Sequence, residues 1–138
     1  RRALASLKIQ PESLQDDGFN YEGHIIRKPW GSEYLAGANS HLGVWVLRLD
    51  AQAETSFHCH TRKTTALFVT EGNVSCSTFE GAFPLAQGEM AIFGAGVFHK
   101  TMTALGAVVM EIETPANKRD LVRLSDKYGR EGLGYEGL

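Results

Sequence analysis

The segment TSFHCHTRKTTALFVTEG, residues 55–72, decides the reading of the fold. His58 and His60 stand two apart and are followed by the polar connection Thr61-Arg62-Lys63-Thr64. An apolar run, Ala66 to Val69, comes next and ends at Glu71-Gly72. Side chains alternate across a strand, so residues i and i+2 share a face and the residue between them takes the other. As a strand, this stretch sends both imidazoles one way and Cys59 the opposite way. Two ring nitrogens a few ångströms apart are what one strand can offer a metal ion, whose bonds to histidine are about 2.0–2.1 Å long. A His-x-His pair also occurs on surface strands that bind nothing, so the pattern needs a second half.

Outward from this segment, short runs rich in β-branched and aromatic residues alternate with glycine. Strands are expected near Ser32–Leu35, Gly43–Asp50, Thr55–His60, Thr65–Glu71, Asn73–Phe79, Glu89–Phe93, Val97–Thr103 and Ala107–Glu113. Another is expected in the stretch after Asp120. Many short strands so spaced read as a sandwich or barrel and not as βαβ units, so the fold class is all-β. The chain has 138 residues, enough for one domain with its own core. It divides into an N-terminal arm or short helix (1–27), a barrel (28–130) and a Gly-rich charged tail (131–138). Net charge is −2 and apolar residues make up 43%, which gives neither a basic stripe for nucleic acid nor a cationic face for a membrane. Two cysteines make no disulfide framework, and with no signal peptide in view the expected location is cytoplasmic.

The second half is GEMAIFGAGVFH, residues 88–99, which ends in His99. With it the chain resembles the cupin superfamily, whose two motifs are a His-x-His followed by Glu and Gly, and a Gly followed by Pro-x-Gly and His. His58, His60 and Gly72 match the first motif; Gly88, Gly96 and His99 match the second. Three positions depart mildly: Gln52, Gly94 and Thr103 stand where the family usually has Gly, Pro and Asn. The larger departure is Thr65, which stands where the family has its metal-binding Glu. A neutral hydroxyl is a poor ligand beside a carboxylate. The stretches KPWGSEY (residues 28–34) and DLVRLSDKYGR (residues 120–130) resemble the small mannose-6-phosphate isomerase-like cupins.

The resemblance implies a double-stranded β-helix, or jelly-roll barrel, and one divalent metal ion (Zn, Fe, Mn, Ni or Co) held by His58, His60 and His99. It also implies a small-molecule ligand such as a sugar phosphate, and a homodimer, with the arm and the Trp30 region as candidate contacts. A sugar or sugar-phosphate isomerase or epimerase is the first functional expectation. The alternatives are a three-histidine non-haem iron dioxygenase and a non-catalytic ligand-binding barrel, since one fold hosts many chemistries.

Other residues have two readings each. Trp30 and Trp45 read as packing residues. Arg48 and Lys63 are candidate substrate-binding cations, although strand and loop charges of this kind commonly face solvent. Lys100 should point away from His99. Glu111 and Glu113 share a face. Inward, Glu111 would serve as a general base or replace the missing carboxylate; outward, the commoner arrangement, both are solvated charges. His24 and His41 read as loop residues, and Cys76 as a small core residue.

Overall fold

Twelve strands and no helix make up the described part of the computed structural model, which covers Tyr21, residues 23–116 and residues 120–131. The expected arm or helix over residues 1–20 and most of the tail lie outside those residues. In chain order the strands are β1 (Ile25–Lys28), β2 (Gly31–Ala38), β3 (Gly43–Leu49), β4 (Ala53–Glu54), β5 (Phe57–Cys59) and β6 (Thr64–Gly72), then β7 (Val74–Thr78), β8 (Gly81–Leu85), β9 (Met90–Phe93), β10 (Lys100–Thr103), β11 (Ala107–Thr114) and β12 (Val122–Ser125). No helix there is long and apolar enough to cross a membrane.

Six strands form one sheet in the order β1-β2-β3-β11-β6-β9, and four form a second in the order β4-β10-β7-β8. β12 and β5 make a short third ladder. A bridge between His58 and His99 ties that ladder to the chain entering β10: His58 N–H donates to His99 O at 3.0 Å and His99 N–H to His58 O at 2.8 Å. The inner faces meet in a core of Trp45, Leu47, Leu67, Val69 and Val109 from the large sheet and Val74, Cys76 and Leu85 from the smaller one. Trp30 packs into its own chain's core and is 5% exposed. Tyr21 meets Trp45 edge-on at 5.4 Å between ring centres.

Several boundaries differ from expectation. β1 begins at Ile25, so the division drawn before Lys28 cuts through the first strand. β8 carries Pro84 and has no apolar alternation, which hid it; four of its five residues are exposed. The expected strand Thr55–His60 shrinks to Phe57–Cys59, and the preceding Ala53–Glu54 forms a separate short ladder with β10. Two glycines are required. A Cβ at Gly31 would lie 1.9 Å from the Arg48 carbonyl oxygen, and one at Gly72 (φ +84°) would lie 2.6 Å from that of Gly106. Gln52, where the family motif has Gly, adopts φ +59°, the left-handed conformation for which glycine is best suited.

Candidate metal centre

β5 and the residue before β10 deliver the three histidines. His58 and His60 project from one side of β5 and its continuation, and His99 faces them across the His58–His99 bridge. The ring centres lie 5.0 Å (His58–His60), 4.7 Å (His58–His99) and 5.6 Å (His60–His99) apart. All three are buried, and one ring nitrogen from each falls within 4.8 Å of the others. Among the described residues this is the one group of His, Cys, Asp or Glu placed to hold a metal ion.

The backbone fixes which nitrogens face inward. His58 Nδ1 lies 2.7 Å from Ser56 O, His60 Nδ1 2.7 Å from Asp120 O, and His99 Nδ1 2.9 Å from Val97 O. A carbonyl oxygen only accepts, so each Nδ1 carries the proton and each Nε2 keeps its lone pair. Three imidazoles set in one tautomer by outer hydrogen bonds suit a borderline divalent ion. Phe93 from β9 stacks flat on His99, with 4.3 Å between ring centres and 5° between planes, and so sets that ring's tilt.

Thr65 lies on the inner face of β6, opposite Phe93 on one side and Glu113 on the other. It is fully buried, and its Oγ1 makes no hydrogen bond among the described residues. A carboxylate is present one strand away, on Glu113, but it is already engaged. Lys63 Nζ donates to its Oε1 at 2.5 Å, and Trp45 Nε1 donates to its Oε2 at 2.9 Å. Gly43 makes room for it, since a Cβ there would stand 3.1 Å from Oε2.

Two expectations are corrected here. Glu111 and Glu113 are not solvated charges; both face the interior and are 7% and 2% exposed. Lys63 is not a mouth cation; at 1% exposure it is spent on Glu113, because a buried amine needs an anionic partner. Arg48, the other candidate for substrate, lies on the solvent face of β3, opposite in parity to Trp45 and Leu47 and turned away from the histidines. Lys100 pairs with Glu54 at 3.1 Å, off the site as expected. His24 and His41 are exposed.

Sequence reasoning missed Asp120 and Arg123. Asp120 is 1% exposed. Its Oδ1 accepts from Thr61 N (2.7 Å) and Thr61 Oγ1 (2.6 Å), and its Oδ2 from Arg62 N (2.7 Å) and Lys63 N (3.0 Å). One side chain therefore pins the loop after His60 while its own carbonyl orients His60. Arg123 pairs in register with His58, and its Nε donates to Ser56 Oγ at 3.2 Å, which itself lies 3.0 Å from His58 Nδ1. A cavity of about 40 Å³ opens beside His58, lined among others by Lys28, Glu33, Glu111, Arg123 and Arg130. Arg130 reaches it from a turn held by Asp126, whose carboxylate accepts from Arg130 Nε and Nη2, both at 2.9 Å. Burial alone would raise the Asp126 pKa, but these hydrogen bonds outweigh it and hold the group below the usual carboxylate range. Burial, with Asp120 nearby, pushes the Cys59 thiol up to about 11, and burial raises Cys76 as well. Neither is a nucleophile at neutral pH.

No protein-family model and no curated protein matches the chain. Solved structures do. A sugar phosphate isomerase of the cupin superfamily from Silicibacter pomeroyi is 26% identical over 62% of this chain and 59% of its own, with a TM-score of 0.57. The present chain thus spans about three fifths of that protein's length. An RmlC-like cupin from Shewanella frigidimarina is 22% identical over 71% of this chain and 88% of its own, at a TM-score of 0.64. The DMSP lyase DddQ from Ruegeria pomeroyi is 17% identical over 79% of this chain and 60% of its own, at 0.63. The fold of this chain is the cupin double-stranded β-helix.

Proposed function

We propose that this cupin barrel is a metal-dependent isomerase or epimerase of a sugar or sugar phosphate. The observation that carries the reading is the cavity lined by both His58, one of the three convergent histidines, and the buried carboxylate of Glu111. The resemblance to a cupin sugar phosphate isomerase supports the substrate class. His58, His60 and His99 would hold the ion. When bound, it supplies a Lewis acid that polarises the substrate's carbonyl oxygen and the neighbouring hydroxyl oxygen.

The rest of the work falls to the chain's own side chains. Glu111 takes the proton from the hydroxyl-bearing carbon and returns it to the adjacent carbon, while the hydroxyl proton passes to the former carbonyl oxygen, so the product is an isomer and no co-reactant is consumed. Arg123, Arg130 and Lys28 line the cavity where a phosphate would bind, Arg130 being paired there with Asp126 and Lys28 with Glu33. The Ser56 hydroxyl links Arg123 to His58 and keeps the cation beside the metal ligand. A cavity of about 40 Å³ holds a group of water size, so a sugar substrate requires the pocket to widen on binding.

The test is to incubate the metal-loaded protein with a panel of aldose and ketose phosphates in D2O and follow isomerised product and deuterium at the reacting carbons. Glu111→Gln should lower the rate by about 10²-fold or more while metal content stays the same. Exchange and turnover absent across the panel, or equal rates in the variant, would contradict the proposal. A second reading has one observation in its favour: with Thr65 in place of a carboxylate the ligand set is neutral, which also suits an Fe(II) dioxygenase. Product formation that requires O2 separates that reading from the first.

A further inference from the structure

Three phenylalanines gather on the outer face of the barrel, behind two of the three histidines. Phe57 precedes His58 and Phe98 precedes His99, so the alternation that turns both imidazoles inward turns both phenyl rings outward. Phe79 joins them from the turn between β7 and β8. The β10–β7 register sets Lys100 opposite Ser77, and two residues further along the same register Phe98 runs alongside Phe79. The ring centres lie 5.0 Å (Phe57–Phe79), 5.7 Å (Phe57–Phe98) and 5.5 Å (Phe79–Phe98) apart. Both pairs that include Phe79 meet edge to face, at 84° and 60°.

The backbone between these rings and the histidines is held by little. The ladder from this segment to β10 is regular at Ala53–Glu54, stops at Thr55 and Ser56, and resumes at the single His58–His99 bridge. That bridge is one pair of hydrogen bonds, and it sets the two imidazoles side by side. On the inner side, Phe93 stacks on His99, and Gly96 N–H donates to His60 O at 2.7 Å. On the outer side, Phe57 and Phe98 touch across the bridge at the longest of the three ring separations, and Phe79 closes the triangle against both.

We propose that Phe79 is a positioning residue for the metal centre: its ring clamps Phe57 to Phe98 and so holds His58 and His99 at the separation an ion requires. The role rests on reading the three histidines as metal ligands. Phe79 is 72% exposed, so it adds little to the core, and its contacts with Phe57 and Phe98 are where it acts. Edge-to-face pairs are favourable beyond the area they bury, and two of them together correspond to about tenfold or more in an equilibrium constant. A site assembled before the ion arrives binds it more tightly than one that the ion must assemble.

Two measurements on the full chain test it. The first is amide hydrogen exchange on metal-free protein. The His58 and His99 N–H groups, both donors in the bridge, should exchange about tenfold faster in Phe79→Ala than in the parent. Leu47 and Val109, in the middle of the large sheet, should stay within about twofold of their parent rates. The second is Co(II) affinity by titration, which should weaken about tenfold in Phe79→Ala. Phe79→Tyr keeps the ring and should bring both readouts to within about threefold of the parent. Unchanged bridge amides would overturn the proposal, as would a Phe79→Tyr that rescues neither readout. Equal acceleration at Leu47 and Val109 would also overturn it, by revealing a general loss of stability. A parent that binds Co(II) with the same affinity as Phe79→Ala would remove this role and leave the metal centre standing. A parent that binds no Co(II) would overturn the metal centre and this role together.

Discussion

At the scale of single residues, the site is governed by where negative charge is allowed. The motif position that should carry a carboxylate holds Thr65, and the nearest carboxylate across the sheet, Glu113, is neutralised by Lys63 and hydrogen-bonded by Trp45. Breaking such a buried pair costs more than the pair contributes, because the survivor keeps an uncompensated charge. Lys63→Met should therefore destabilise the fold by about 3–5 kcal/mol in urea melts, and Lys63→Met/Glu113→Gln should recover most of that loss. Thr65→Glu should raise metal affinity about tenfold or more by calorimetric titration, since an anion joins three neutral donors; an unchanged affinity would mean that Thr65 does not adjoin the ion. The histidines were legible in the sequence because spacing alone carries them. The inward direction of Glu111 and Glu113 was not. Alternation on β11 offers two faces, and the one made of Val108, Met110 and Ile112 looks more like a core than the one that carries two acids.

At the scale of elements, the site is assembled by a late strand that folds back onto an early one. β12 pairs with β5, and the residue just before it, Leu121, is buried. That pairing delivers Asp120 to the loop after His60 and Arg123 to the flank of His58. Neither role could be read from local pattern, because the partners are about sixty positions away along the chain and nothing in a single strand announces its ladder partner. Asp120→Ala removes the acceptor for three backbone N–H groups and one hydroxyl. It should cost about 3 kcal/mol of stability and weaken metal binding tenfold or more, since the carbonyl that orients His60 belongs to the same residue. Unchanged metal affinity in a folded Asp120→Ala would show that the loop does not position His60.

At the scale of the molecule, the barrel was legible from glycine-punctuated short strands and two separated motifs, which lie on opposite sides of the His58–His99 bridge. The strand boundaries near β4, β5 and β8 were less so, because they depend on which ladder each two- to five-residue segment joins. The whole fold converges on one arrangement, three Nε2 atoms facing a common point with every Nδ1 proton given to a carbonyl. That arrangement is the central claim, and elemental analysis of protein purified without a nickel column tests it most directly. The parent should carry close to one divalent ion per chain, and His99→Ala, folded by circular dichroism, should carry almost none. A parent free of metal after growth in metal-replete medium and incubation with Zn, Fe(II), Mn, Ni and Co, or equal metal in the two proteins, would contradict it.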